Sequence, residues 1–180
     1  MCDAIERVTP AYQGKSFSHV AIVVWRDKQG WWLIEAYPPA VKLIRLKDFL
    51  QRSMTTTHKP NVMVGRVKDK YRTIAKQAAL KAGDYIGKKY DDKFLLDNDS
   101  YYCAELLFVL FKEAADGKPF FKLNKMTFNN PLTAKLMPVW REYYQHIGMT
   151  VPEGKLGINP GAMTAAKKIT MHYWEEFAPD

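Results

Sequence analysis

The chain has 180 residues, a length that suits one domain over 1–180 and buries a core without disulfide or metal staples. Apolar residues make up 47% and charged residues 26%, spread along the chain, which excludes a disordered tail; the apolar run Val20 to Trp25 is far short of the roughly 20 residues that span a bilayer. A formal charge of +8 favours acidic surfaces such as cell-wall polymer, lipid headgroups or nucleic acid, but isolated lysine pairs (Lys88-Lys89, Lys167-Lys168) and the lack of zinc-finger or RNP-type patterns argue against a specific nucleic-acid footprint.

Met1 to Pro10 carries Asp3, Glu6 and Arg7 and no apolar h-region, so no signal peptide is visible. Residues Phe17 to Trp25 and Trp31 to Tyr37 are aromatic and β-branched runs separated by a polar stretch ending in Gly30, which predicts an antiparallel hairpin. Pro38 and Pro39 close it; Val41 to Leu46 reads as a further strand, Lys47 to Ser53 as a short helix and Asn61 to Val67 as another strand. From Asp69 the apolar period becomes helical, with Tyr71, Ile74, Ala75, Ala78 and Ala79 leading to a stop at Gly83. A helix starts near Tyr102 and shows a broad apolar face through Leu106, Leu107, Val109, Leu110 and Ala114. A helix around Thr133 to Ile147, a loop over Leu156 to Gly161, and a last helix or strand through Trp174 complete an α+β layout without internal repeats.

With only Cys2 and Cys103, a disulfide framework is excluded and a Cys-rich metal site is not expected. Cys103 sits at a predicted helix start. Unpaired N–H groups and the positive end of the helix dipole favour a thiolate there, and the same groups can receive the oxyanion formed in acyl transfer. A small buried hydrophobe is the bland alternative. A thiol nucleophile needs a base, and the base an orienting partner. His19 opens the first strand of the hairpin, at the sheet edge, and Glu35 lies mid-strand between Ile34 and Ala36, where a solitary carboxylate is costly unless paired. If the hairpin turns near Asp27 to Gln29, position 19 falls opposite the mid-thirties, within cross-strand reach of Glu35. His58, His146 and His172 have no carboxylate beside them in an apolar strand.

Four segments in this order, Ser18-His19-Val20-Ala21-Ile22-Val23, Ile34-Glu35-Ala36, Gly87-Lys88-Lys89-Tyr90-Asp91 and Tyr102-Cys103-Ala104-Glu105-Leu106, resemble the YiiX-like permuted branch of the NlpC-type papain-like hydrolases. In that family the histidine strand precedes the cysteine helix. Pro152 to Gly161 is similar to the family's closing loop. The resemblance implies a circularly permuted papain-like fold, an antiparallel sheet or partial barrel packed against helices. It makes Cys103 the nucleophile, His19 the base and Glu35 the third member. By the same resemblance Glu105 is a structural or substrate-side group, Tyr90 and Asp91 belong to the loop motif, and Tyr102 offers a hydroxyl near the oxyanion; loop anchoring is the bland role for Tyr90, Asp91 and Tyr102.

Family members commonly begin with a Gly-Asp strand, whereas this chain starts inside a helix-like segment, Cys2 to Val8, which puts that strand and any export signal in doubt. Ala104 stands where the family often has Ser, a small-for-small change. The implied activity is hydrolysis of an amide in a cell-wall peptide or N-acyl amino-acid conjugate, needing no metal or organic cofactor. An acyltransferase or lipid hydrolase with the same triad, and a non-catalytic module for anionic polymer or lipid, are the alternatives. The resemblance favours a periplasmic or cell-envelope setting. A narrow polar cleft beside Cys103 would point to an amino-acid or peptide end, a long apolar groove to lipid.

Overall fold

The computed structural model describes residues 2–96 and 98–177. Helix α1 (Cys2–Val8) leads through a tight turn, in which Tyr12 and Lys15 exchange backbone hydrogen bonds, into β1 (Ile22–Asp27), β2 (Gly30–Tyr37) and β3 (Ala40–Arg45). These form an antiparallel sheet in the order β1-β2-β3. The first hairpin pairs Asp27 with Gly30 across Lys28-Gln29, and Gly30 closes it with a φ of +115° that a side chain would resist. As the central strand, β2 is covered on both faces, and Leu33, Ile34, Glu35 and Ala36 are buried in succession.

The chain continues through α2 (Leu46–Arg52), β4 (Met63–Val67), α3 (Arg72–Lys81), α4 (Cys103–Ala114), β5 (Asn124–Lys125), α5 (Pro138–His146), β6 (Leu156–Gly157), α6 (Pro160–Thr164) and β7 (Ile169–Tyr173). β4 pairs antiparallel with β7, and β5 with β6. Among the described residues the sheets do not close into a barrel. The core gathers around α4, whose Ala104, Leu106 and Leu110 are fully buried; each of the two leucines contributes roughly 1.5–3 kcal/mol by leaving water.

Two expectations need correction. His19 does not open a strand: β1 begins at Ile22. The preceding residues are tied to α1 instead, since the Thr9 hydroxyl donates to the Phe17 carbonyl at 3.3 Å and the Ser18 hydroxyl to Glu6 Oε1 at 3.1 Å. The helix expected from Thr133 starts at Pro138. Upstream, Asn130 Oδ1 accepts from the amides of Leu132 (2.8 Å) and Thr133 (3.3 Å), folding that stretch into a turn, while proline is well placed in a first helical turn.

The last segment, expected as helix or strand, contains both. Asn159 caps α6 by accepting from the Ala162 amide at 2.7 Å, and β7 follows. Gly161, inside α6, lies so close to the Pro10 backbone carbonyl that an added Cβ would overlap it. Gly161→Ala is therefore expected to lower stability by about 2–3 kcal/mol, the usual range for overpacking against rigid backbone, seen as a lower urea midpoint at unchanged m-value.

Candidate active site

Cys103 is the first residue of α4, and it sits there because Tyr102 is extended (φ −89°, ψ 168°) and ends the preceding loop. The helix start is secured by Leu106 N–H donating to the Tyr102 carbonyl at 3.0 Å and by the Tyr102 amide donating to Glu105 Oε2 at 3.4 Å. Glu105 thus holds the end of the helix that presents the sulfur. Cys103 itself is 6% exposed.

The His19 ring lies between the Cys103 thiol and Glu35. Its Nε2 is 2.7 Å from Glu35 Oε2, and the Cys103 thiol is near enough to the ring to raise its pKa. Glu35 is 0% exposed and the His19 side chain 25%. The ring is fixed from the sides by Phe49, stacked at 5.8 Å, and Tyr37, edge-on at 5.7 Å. Burial alone would depress the imidazole pKa, but hydrogen bonds and charge attraction from Cys103 and Glu35 outweigh it and raise it from 6.5 to about 9. For Glu35 burial pushes upward, and the hydrogen bonds and positive charges of His19 and Arg52 win, holding the carboxyl below its usual range.

Arg52 escaped the sequence reading. Its Nη2 donates to Glu35 Oε1 at 2.8 Å and Oε2 at 2.7 Å, while Lys42 Nζ stands 3.8 Å from Oε1. The guanidinium lies over the Tyr37 ring at 4.6 Å and the Phe49 ring at 5.7 Å, the same two rings that flank His19. The signal was present as Phe49 and Arg52 three residues apart on one helix face, but only the fold brings that face to β2.

The supporting residues separate by role. Asp91, 1% exposed, accepts from the amides of Lys93 at 2.9 Å and Leu95 at 2.8 Å and so anchors its own loop. The Tyr102 hydroxyl accepts from the Ile158 amide at 3.1 Å, tying the link between β6 and α6 to the start of α4. Tyr90 is half-buried; burial raises its pKa, and the nearby charge of Cys103 raises it further. A cleft beside the sulfur encloses only about 30 Å³ of water-accessible space, and its lining is mainly apolar, with Ile5, Val8, Phe94, Met126, Phe128 and Ile158 among its walls.

The chain matches, over residues 2–173, the sequence model of a family described as permuted papain-like amidase enzymes, YaeF/YiiX, C92. It belongs to that family. At that level it is a papain-like cysteine hydrolase of the permuted kind. A crystal structure of yiiX from Escherichia coli O157:H7 is similar with a TM-score of 0.71, covering 96% of this chain and 89% of that one at 24% identity, a likeness that supports the permuted papain-like fold. Among curated proteins none matches. The yiiX protein is described as a metalloprotein. In this chain no group of three or more His, Cys, Asp or Glu side chains suited to holding a metal occurs among the described residues.

Proposed function

We propose that the chain hydrolyses an amide whose acyl side is apolar, through a thioester on Cys103. The observation that carries this reading is the His19 ring, hydrogen-bonded to buried Glu35 and influenced by the nearby Cys103 thiol, which itself lines a narrow, mainly apolar cleft. Such a cleft is neither the polar slot that suits a free peptide end nor the long groove that suits a lipid. An N-acyl amino-acid conjugate meets it best, with its acyl group against the apolar walls.

The thiolate attacks the carbonyl carbon, and the oxyanion is received by N–H groups at the start of α4. His19 Nδ1–H gives its proton to the leaving nitrogen, the C–N bond breaks and an amine departs, leaving a Cys103 thioester. Neutral His19 then takes a proton from water, whose oxygen attacks the thioester. Collapse releases the acid and restores the thiolate beside the imidazolium. Glu35 holds the ring orientation and its charge throughout, and no proton passes to it.

Tyr90, kept protonated by burial near Cys103, supplies a further donor to the oxyanion. Tyr90→Phe is expected to lower kcat by about 10–100-fold with KM little changed, the behaviour of a donor used chiefly in the transition state. Equal kcat in the two proteins removes Tyr90 from the mechanism.

The function itself is tested by offering N-acyl amino acids of increasing acyl length beside a cell-wall peptide, and trapping the acyl-enzyme for mass spectrometry. Apolar N-acyl amino acids should give the higher kcat/KM and an adduct on Cys103. Preference for the peptide overturns the substrate assignment. Preferential transfer of the acyl group to an added amine makes the protein an acyltransferase, and failure of every acyl substrate to turn over or leave an adduct overturns the hydrolase reading.

A further inference from the structure

The hairpin joining β1 and β2 carries a surface that the cleft does not use. Trp25 and Trp31 are 44% and 45% exposed. Trp25 pairs across the ladder with Trp32, and Arg26 with Trp31, so the two half-exposed indoles lie on opposite faces of the ribbon. Around them stand Arg26, Lys28 and Arg45, three cations against one carboxylate, Asp27. That carboxylate is already engaged by the Trp32 indole N–H at 2.8 Å and the Gln29 amide at 2.7 Å. β1 is also an edge strand of its sheet.

We propose that this hairpin tip docks the protein on an anionic bilayer surface, with Trp25 and Trp31 at headgroup depth and Arg26, Lys28 and Arg45 among the phosphates. Tryptophan favours this boundary because its ring is apolar while its N–H is polar, and basic residues near an anionic leaflet add attraction. The charges at the tip and the chain's net +8 match such a surface. Single-stranded nucleic acid also takes aromatic and basic residues, but it needs open ring faces on which bases stack. Here Arg26 lies over Trp31 at 5.5 Å, Arg45 over Trp32 at 5.2 Å, and Trp25 stacks on Trp32 at 6.1 Å. With those faces already occupied, the rings suit an interface better than a base stack. Glu35 lies five residues along β2 from Gly30, about 16 Å at the usual strand rise, so an embedded tip leaves the cleft clear of the headgroups. The proposal stands apart from the catalytic reading and survives its failure.

The test is cosedimentation of the intact chain with phosphatidylcholine vesicles containing about 30% phosphatidylglycerol, beside pure phosphatidylcholine vesicles and an oligo-dT strand; binding should be at least about tenfold tighter to the anionic vesicles and should weaken with salt. The doubly substituted Lys28→Gln/Trp31→Ala protein should lose about tenfold in vesicle affinity. A thermal melt matching the unsubstituted protein shows that the loss is local. If the double substitution costs stability, Lys28→Gln alone must still weaken binding. No vesicle binding, equal binding to both vesicle types, binding unchanged by the substitutions, or tighter binding of oligo-dT than of vesicles each overturns the proposal.

Discussion

Cys103→Ala is expected to abolish the proposed amide hydrolysis, with a loss in kcat of at least about 10³-fold, because no other group at the start of α4 is placed to form the acyl-enzyme. The substitution removes only one heavy atom, though from a site 6% exposed, so the melt should fall only modestly. His19→Asn is expected to cost a similar factor, since an amide neither protonates the leaving nitrogen nor activates water. The doubly substituted protein should be hardly worse than either single one, as groups acting as a unit are not additive. A second readout does not depend on the substrate. The contact with Cys103 is the largest single influence raising the His19 pKa to about 9, followed by the hydrogen bond to Glu35, so in Cys103→Ala the imidazole must titrate at lower pH, which NMR of the ring protons reads directly. Undiminished turnover by Cys103→Ala, or an unmoved His19 titration, removes the thiol from the reaction.

How much of this site was legible beforehand follows from the range of the interactions. Cys103 at a helix start was readable because helix onset is local: a polar loop before it, an apolar face after it, and Glu105 placed to hold the Tyr102 amide. The pairing of His19 with Glu35 was readable through hairpin arithmetic, even though His19 lies outside the strand and reaches Glu35 from a segment tied to α1. Arg52 was not readable, because its partner is fixed by how α2 folds back over β2, and no spacing in the sequence encodes that return. The apolar cleft was equally hidden, being assembled from α1, the 126–128 stretch, α5 and the link between β6 and α6. The late start of α5 follows from the turn chemistry of Asn130 and the proline at 138.

Glu35→Gln should lower kcat/KM by about 10²-fold or more and move the alkaline limb of its pH profile to lower pH. That limb reports loss of the His19 proton in the free enzyme and should fall near 9 in the unsubstituted protein. Glu35 supplies both a hydrogen bond and a negative charge that raise the ring's pKa; glutamine keeps the shape and loses the charge, leaving burial opposed by Cys103 alone. The stability linkage has a fixed sign. A histidine whose pKa rises on folding from 6.5 to about 9 contributes stability that is fully present below 6.5 and disappears as pH climbs through about 9, so the two proteins should converge in that contribution at high pH. Arg52 acts one step further out, as a positioning residue for Glu35. When Arg52 is replaced, buried Glu35 keeps the His19 hydrogen bond at 2.7 Å and Lys42 Nζ at 3.8 Å, so Arg52→Met should fold, lose about tenfold in kcat/KM as Glu35 is held less firmly, and displace the alkaline limb. Arg52→Lys, which restores the charge, should recover most of the limb position. A purely structural Arg52 would change the melt and leave the pH profile where it was, and that result would detach the guanidinium from the chemistry.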